Sequence, residues 1–241
     1  MPALRKFRGG RHEVVGTDIS DADAAGDAFL EVTSRRSAED WLEKHRPDVV
    51  IHLAGFKQAP GGELAPHEVV RINTTGTQYV VNAADRVGKK VILASTCKAC
   101  DPETVYGASK LIAERIVLNA GGSVARFYNV REAGGNVFET WAALPEDTPI
   151  PYTDCTRYFI PMQRAIELLI ATLDLPVGRY TVDPGTPKVM RLEALQAYPD
   201  RKLVLIPRRR GDRQYEPLCA RSETIEKLPG GIWQILSPHD V

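Results

Sequence analysis

Residues Val91–Lys110 read VILASTCKACDPETVYGASK, and this stretch decides the fold. It predicts a buried strand over Val91–Ala94, a polar loop over Ser95–Thr104 and a helix that begins at Val105. In an open α/β sheet, ligands bind at the carboxyl ends of the strands. The loop that follows this strand is therefore the expected location of a functional site.

Tyr106 and Lys110 are four residues apart, so on a helix they lie on one face, about one turn from each other. A nearby ammonium favours a phenolate, so Lys110 is predicted to lower the pKa of Tyr106 and make it a usable general acid and base. A Tyr and a Lys also occur at this spacing by chance. The context favours catalysis, because a strand ending in Ser-Thr precedes the pair and the small residues 107–109 let the helix approach a cofactor closely.

Tyr-x-x-x-Lys after a strand that ends in Ser/Thr resembles the extended short-chain dehydrogenase/reductases. The longer string STCKACDPETVYGASK is similar to the inverting UDP-N-acetylglucosamine 4,6-dehydratases, the polysaccharide-biosynthesis branch of that family, and the likeness runs from about Arg11 to Pro238. It implies an α/β fold with a Rossmann-like, doubly wound parallel sheet and a small C-terminal substrate-binding lobe. Residues 1–127 would form the truncated dinucleotide-binding region, and residues 128–241 the nucleotide-sugar-binding lobe with the last sheet strands.

The other predicted elements fit this plan. Strands are predicted at Arg11–Thr17, Phe29–Val32, Asp48–Leu53, Val124–Phe127 and Leu203–Ile206, and helices at Ser37–His45, Glu68–Val87, Val105–Asn119 and Met162–Leu173. The β-branched run at Asp48–Leu53 is typical of a buried parallel strand. Ser37 is the predicted N-cap of its helix, and Gly121-Gly122 is expected to end the helix after Val105.

The resemblance assigns catalytic roles to Thr96, Cys97, Lys98, Tyr106 and Lys110. Tyr106 would act as base while a nicotinamide oxidises C4 of the sugar, with Lys110 tuning it, and Lys98 would remove the C5 proton. Cys97 stands where the family has an Asp that helps to protonate the departing C6 hydroxyl. A thiol has a reference pKa near ~8.5, far from that of a carboxyl group, so the elimination step is where this chain departs most from the family.

NAD or NADP is the cofactor that the resemblance implies. The predicted cofactor-binding residues are Asp18, Glu31, Ala54, Lys57, Asn73 and Lys110. Asp18 follows a predicted strand, where an acidic residue can hydrogen-bond the ribose, although a surface carboxylate is an equal alternative. Lys57 lies in a loop similar to the one that passes over the cofactor, and Asn73 is expected to brace the active-site strand.

The predicted substrate-binding residues are Lys57, Asn129, Asn136, Val137, Arg157, Arg209 and Glu216. In the family, the loop that begins with Arg-x-x-Asn-Val holds the substrate nucleotide, and here Arg126 supplies its Arg. Arg209 matches the Arg at the substrate pyrophosphate, and a guanidinium fork suits a diphosphate. Apart from the resemblance, an Arg-rich run is most often a solvated surface.

The sequence contains no G-x-G-x-x-G motif. By the resemblance, the chain begins late in the helix that receives the pyrophosphate, at about Leu4–Phe7, and Gly9-Gly10 lies too late to serve. In the strand order 3-2-1-4-5-6, the absent first strand would lie in the middle of the sheet. Three explanations stay open: a start too far downstream, a strand from another chain, or direct pairing of Glu13–Thr17 with Val49–Leu53.

Composition narrows the function classes. Thirty-one Lys+Arg balance 31 Asp+Glu, so the net charge points to no nucleic-acid or membrane partner. No apolar run approaches the ~20 residues of a membrane span, and MPALRKFRGG lacks a signal-peptide core, so a cytoplasmic protein is expected. Cys97-x-x-Cys100 has no second pair at ligand spacing, so no metal site is predicted; a redox pair is the open alternative.

These observations predict a nucleotide-sugar 4,6-dehydratase or epimerase that acts on a UDP-N-acetylhexosamine as a homo-oligomer. A cofactor-free nucleotide-sugar-binding protein, or one subunit of a split enzyme, is the alternative that the absent Gly-rich loop favours. A sugar-nucleotide 4-epimerase is a nearer alternative, because it needs Tyr106 and Lys110 but not the missing carboxylate.

Overall fold

The computed structural model describes residues 14–19 and 28–240. The strands, in chain order, are β1 (Thr17–Asp18), β2 (Ala28–Phe29), β3 (Val49–His52), β4 (Lys90–Thr96), β5 (Ser123–Phe127), β6 (Asn129–Val130), β7 (Ile150–Tyr152), β8 (Thr156–Arg157), β9 (Phe159–Ile160), β10 (Arg179–Val182), β11 (Lys188–Val189), β12 (Leu203–Leu205), β13 (Thr224–Leu228) and β14 (Ile232–Leu236). The α-helices are α1 (Arg35–His45), α2 (Ala59–Leu64), α3 (Pro66–Val69), α4 (Thr77–Arg86), α5 (Val105–Asn119), α6 (Val137–Ala142), α7 (Met162–Asp174) and α8 (Met190–Ala197).

A six-stranded sheet in the order β13-β14-β10-β5-β4-β3 forms the central layer. Strands β3, β4, β5 and β10 are parallel, and β14 runs antiparallel to both β10 and β13. In the register of β4 with β5, Ser95 lies opposite Arg126 and Thr96 opposite Phe127. The predicted α/β fold with a mainly parallel sheet is therefore confirmed.

Helices cover both faces of this sheet. Ile92 and Leu93 are consecutive in β4, so their side chains point to opposite faces, and each is buried in a different core. The core around Leu93 is completed by α1, α4 and α5, and the core around Ile92 by α7. This burial on both faces explains why β4 reads as a continuous apolar run.

A third core lies in the C-terminal part of the chain. Its buried members are Trp141, Ile150, Cys155, Met190 and Ala194. They come from α6, β7, α8 and a connecting loop, and β7 pairs in parallel with β12. This small unit packs its own side chains together, beside the central sheet rather than within it.

The central prediction agrees closely with the structure. Strand β4 extends beyond the expected Val91–Ala94 to Lys90–Thr96, and α5 covers Val105–Asn119 as predicted. Helix α1 begins two residues before Ser37, and its N-cap is Ser34, whose side chain accepts from the Ser37 amide. The predicted N-cap at Ser37 is therefore wrong, because the earlier serine already supplies the cap.

Two other predicted elements differ from the structure. The run predicted as one helix over Glu68–Val87 contains a π-helical segment, Val70–Gly76, between α3 and α4. Such segments add one residue to a turn and re-aim the neighbouring side chains. The strand predicted over Phe29–Val32 ends at Phe29, because the Glu31 carboxylate accepts from both the amide and the hydroxyl of Thr33 and turns the chain.

The structure tests one of the three explanations for the absent first strand. Strand β1 pairs in parallel with β2 and not with β3, whose partner among the described residues is β4. Direct pairing of Glu13–Thr17 with Val49–Leu53 is therefore wrong for the part of that segment that the structure describes. Glu13 itself, like the predictions for Leu4–Phe7 and Gly9-Gly10, lies outside the described residues. Within residues 14–19 and 28–240, no helix has the length and apolar character that crossing a bilayer requires.

Candidate active site

The loop between β4 and α5 is fixed at both ends by threonine side chains. Thr96 ends β4, and its hydroxyl accepts from the Lys98 amide at 3.3 Å. Thr104 caps α5 by accepting from the Gly107 amide at 3.0 Å. The Glu63 carboxylate binds a further free amide of the first turn, that of Val105, at 2.8 Å. These caps fix where the helix starts, and therefore where Tyr106 lies.

Helix α5 touches the loop backbone directly at Gly107. A Cβ at this position would overlap the carbonyl oxygen of Lys98. Only glycine permits so close an approach. The contact brings the start of α5, with Tyr106, against the turn that carries Lys98.

Lys98 is bound to a carboxylate from a distant part of the chain. Its Nζ lies 2.7 Å from Oε1 of Glu216 and 3.3 Å from Oδ1 of Asn129. Glu216 Oε2 accepts from Asn129 Nδ2 at 2.7 Å and from the Cys97 thiol at 3.6 Å, and Arg157 Nε lies 3.4 Å from Oε1. The structure thus brings together three predicted substrate-binding residues and two predicted catalytic ones.

The charges in this cluster stabilise one another. Burial disfavours the Lys98 ammonium, but the Glu216 carboxylate outweighs it and holds the pKa of Lys98 above its usual range. Burial likewise disfavours the Glu216 carboxylate, but Lys98 and Arg157 lower its pKa below the usual range. Burial, together with the Glu216 charge, raises the pKa of Cys97 to about 12. The cluster is therefore an ion pair beside a protonated thiol.

Tyr106 is tuned by a different lysine from the one predicted. Burial raises the pKa of Tyr106, and the charge that most opposes this rise is Lys98, with further help from Thr96. Lys110 is buried, and this burial lowers its own pKa to about 8. The prediction that Lys110 lowers the pKa of Tyr106 is therefore wrong, since Lys98 is the ammonium that favours the phenolate.

The Lys110 ammonium makes no hydrogen bond to any residue that the structure describes, although its side chain is only 6% exposed. Beside it, His52 is buried and bonded to Thr77 at 3.1 Å, and burial with the Lys110 charge lowers the pKa of His52 to about 3. A buried ammonium next to a neutral imidazole lacks an acceptor. It fits a ligand that brings hydroxyl oxygens, as the ribose of the implied NAD or NADP does.

Asn73 joins the loop after β3 to α5. Its side chain accepts from the Phe56 amide at 2.7 Å and donates to the Phe56 carbonyl at 3.0 Å and to Ser109 Oγ at 2.9 Å. These bonds give Asn73 a bracing position, with its donors and one acceptor position used inside the protein. The π-helical segment that carries Asn73 aims its side chain at this loop.

The remaining predicted cofactor residues lie around the edge of the site. Ala54 and Asp18 are exposed, and Glu31 forms the turn with Thr33 described above. Lys57 donates to the Gly134 carbonyl at 2.7 Å and so connects the loop after β3 with the loop after β6.

Besides Lys57, three predicted substrate residues lie outside the Lys98 cluster. Asn136 is the N-cap of α6 and accepts from the Glu139 amide, and Val137 packs against the third core. The Arg209 side chain is 69% exposed and pairs with Asp212 at 3.0 Å. Arg209 therefore contacts none of the residues around Lys98, and its assignment to a diphosphate remains a prediction.

A buried ion network beneath the site was not predicted. Arg126, assigned to the substrate loop by the resemblance, is 1% exposed and binds Glu114 and Glu223 at 2.7 Å each. The guanidinium is therefore bound inside the core, and its match to the Arg of the family's loop remains a prediction. Arg179 joins the same carboxylates, at 2.8 Å and 3.4 Å. Glu114 lies four residues after Lys110 and therefore on the same face of α5. This spacing could have predicted a second charged side chain on the buried face of the helix.

A family model and the curated relatives agree on the family to which this chain is similar. A family model described as "Polysaccharide biosynthesis protein" matches residues 21–231. The chain is 31% identical over 258 residues to "Probable polysaccharide biosynthesis protein EpsC" of Bacillus subtilis, covering 95% of this chain and 42% of that protein. It is 28% identical over 192 residues to "UDP-N-acetylglucosamine 4,6-dehydratase (inverting)" of Campylobacter jejuni, covering 73% and 58%. The chain therefore spans about half the length of the curated relatives it matches.

Solved structures share the fold. The structure titled "MoeE5 in complex with UDP-glucose and NAD" aligns with a TM-score of 0.75 and 19% identity, over 90% of this chain and 84% of that one. At this identity the likeness shows the fold alone. The family model and the dehydratase relative confirm the predicted resemblance to the polysaccharide-biosynthesis branch, and the shared fold agrees with it.

Proposed function

The chain belongs to the family of polysaccharide biosynthesis proteins, and from that premise we propose that it is a nucleotide-sugar 4,6-dehydratase or epimerase acting on a UDP-N-acetylhexosamine. One observation carries the proposal. Thr96 and Lys98, at the end of β4, act on Tyr106 at the start of α5, and the Lys110 ammonium, for which the described residues provide no acceptor, is buried one turn further along α5. These are the residue types that oxidation at C4 and proton removal at C5 require.

Each residue has a defined task in this proposal. A bound nicotinamide dinucleotide supplies the hydride acceptor for C4. Tyr106 takes the proton of the C4 hydroxyl, favoured by the Lys98 charge, which counteracts the burial of the phenol. Lys110 would hold the ribose hydroxyls of this cofactor. Asn129 and Arg157 lie at the Lys98 cluster, at the side from which the sugar nucleotide would enter.

A 4-epimerase is the second candidate, and Cys97 favours it. Elimination of the C6 hydroxyl needs a proton donor, and a thiol whose pKa is raised to about 12 is a poor one. Epimerisation at C4 uses Tyr106 and the cofactor only. The two candidates therefore share the first step and differ in the second.

The test incubates the protein with UDP-N-acetylglucosamine and either NAD or NADP in deuterium oxide, followed by NMR and mass spectrometry. A dehydratase gives a product lighter by one water with deuterium at C5. An epimerase gives an isomer inverted at C4. Tyr106→Phe is expected to lower turnover by about 10²-fold or more, while UDP-sugar binding measured by calorimetry remains.

Tyr79→Phe is the matched control, because Tyr79 lies on α4 against the first core. Its turnover should equal that of the wild-type protein. Binding of the UDP-sugar without binding of either dinucleotide would contradict the proposal and favour a cofactor-free binding protein.

A further inference from the structure

The Glu216 carboxylate lies 3.6 Å from the Cys97 thiol, although Glu216 follows Cys97 by 119 positions in the sequence. We propose that Glu216 is a positioning residue: it supplies the carboxylate that the Ser-Thr-Cys-Lys sequence lacks, and it acts by holding the Lys98 ammonium in place and charged. The inference rests on the proposed function for the reaction that Lys98 serves. All the contacts that support the inference are between residues of this chain, so they can be tested without substrate.

Both carboxylate oxygens of Glu216 are directed to groups of the site. Oε1 faces Lys98 Nζ at 2.7 Å and Arg157 Nε at 3.4 Å, and Oε2 faces Asn129 Nδ2 at 2.7 Å and the Cys97 thiol at 3.6 Å. The carboxylate is only 1% exposed. A buried charge is tolerated only when it is paired and hydrogen-bonded, so this position is built for an anion.

The segment that carries Glu216 is clamped onto the catalytic loop. The Arg213 guanidinium donates to the Cys100 carbonyl at 2.8 Å and also to the Asp101 carbonyl. Further along, the Arg221 amide donates to the Asp101 carboxylate at 2.9 Å. These bonds lie on both sides of Glu216 in the sequence, so they fix its distance from Lys98.

Few other charged or titratable groups act on Lys98. Cys97 lies in its own turn and stays protonated, Tyr106 lies on α5, and Arg157 approaches the same Glu216 oxygen from β8. Among the described residues, Glu216 is the one carboxylate paired with Lys98. Its charge therefore keeps Lys98 in the ammonium form, which is the form that favours the Tyr106 phenolate.

Site-specific labelling without substrate tests the inference. Lysines are acetylated with acetic anhydride at a series of pH values, and the labelled peptides are quantified by mass spectrometry. Only the neutral amine reacts, so the midpoint of the pH profile reports the pKa of each lysine, and the plateau reports its accessibility. In the wild-type protein, the Lys98 midpoint should lie above the ordinary range for a lysine.

Glu216→Gln should move the Lys98 midpoint down by at least one pH unit, which is about a tenfold faster reaction at a fixed lower pH. Glu167→Gln is the matched control, because Glu167 pairs with Arg164 on α7 and does not contact Lys98. An unchanged Lys98 midpoint in folded Glu216→Gln protein overturns the inference.

A second variant covers the case in which Glu216→Gln does not fold. Arg157→Met removes the competing cation, so the Lys98 midpoint should rise or stay, and a downward shift would contradict the inference. The deuterium assay separates the two proposals. If the wild-type protein turns over no UDP-sugar, the proposed function fails, whereas the labelling midpoints still decide the role of Glu216.

Discussion

Arg126 and Glu114 face each other across the protein interior through two hydrogen bonds, Nε to Oε1 at 3.1 Å and Nη2 to Oε2 at 2.7 Å. Ser95 also donates to Oε1 of Glu114, and Ser95 is the residue before Thr96 in β4. The buried network therefore supports the strand end from which the catalytic loop departs. The network helps to hold the site in place, although none of its charged groups contacts the Lys98 cluster directly.

Arg126→Met should lower the free energy of unfolding by about 3–5 kcal/mol, because it leaves buried carboxylates without their main partner. Urea denaturation measures the loss. Arg115→Met is the control on α5, since the Arg115–Asp240 pair is partly exposed and worth about 1 kcal/mol or less. Equal losses of unfolding free energy in the two variants would show that burial of the network adds nothing to stability.

Lys110→Met should stabilise the protein at pH 7 while abolishing turnover. Burial lowers the pKa of Lys110 from 10.5 to about 8, so below pH 8 the folded state carries an ammonium that burial disfavours. Removing it should raise the free energy of unfolding by up to about 3 kcal/mol, since one pKa unit corresponds to about 1.4 kcal/mol.

The pH dependence of this gain identifies its cause. Between pH 8 and 10.5 the unfolded chain still binds the Lys110 proton and the folded chain does not, so wild-type stability rises with pH and the difference from Lys110→Met narrows. Urea denaturation at pH 7 and pH 10 checks this, with the exposed Lys90→Met as control. A constant difference at both pH values would refute the explanation.

Asn73→Ala should loosen the loop after β3. The change removes three side-chain hydrogen bonds and leaves the amide and carbonyl of Phe56 without partners, at a cost of about 1–3 kcal/mol for each buried group left unpaired. Hydrogen exchange at the Phe56 amide should become faster. Asn82→Ala, an exposed change on the adjoining helix α4, should leave that exchange rate unchanged.

Gly107→Ala should displace the loop that carries Lys98. The new methyl group would overlap the Lys98 carbonyl oxygen, and overpacking of this kind costs about 1–3 kcal/mol. Turnover should fall with stability. Gly134→Ala is the control, because a Cβ there has open space around it. Wild-type turnover in Gly107→Ala would contradict the close contact between α5 and the loop.

The elements that sequence reasoning placed correctly are those with local signals. Strand β4 contains the apolar run Val91–Ala94, and α5 starts at a Thr cap and runs to Asn119. Both depend on residues that are close together in the sequence. The π-helical segment at Val70–Gly76 has no such signal, because it depends on the contacts of Asn73 with a separate loop.

In the candidate site too, the residues with a local sequence signal were predicted and the contacts between distant segments were not. Tyr106, Lys98 and Lys110 follow from one short motif. The contact of Glu216 with Lys98 joins segments that are far apart in the sequence, so residue types alone assigned Glu216 only to the substrate. The buried partners of Arg126 were not predicted for a related reason: the sequence alone does not show whether the partner of an arginine is a ligand or a buried glutamate.

The distance in sequence between Cys97 and Glu216 also sets an order of events during synthesis. At about 5–20 residues per second, roughly 6–24 s separate the translation of these two residues, which lie 119 positions apart. The strand and helix that hold Lys98 and Tyr106 can form on the ribosome in that interval. The counter-charge of Lys98 arrives only afterwards, so a nascent chain that carries its lysines and tyrosine still lacks the carboxylate until the segment around residue 216 has docked.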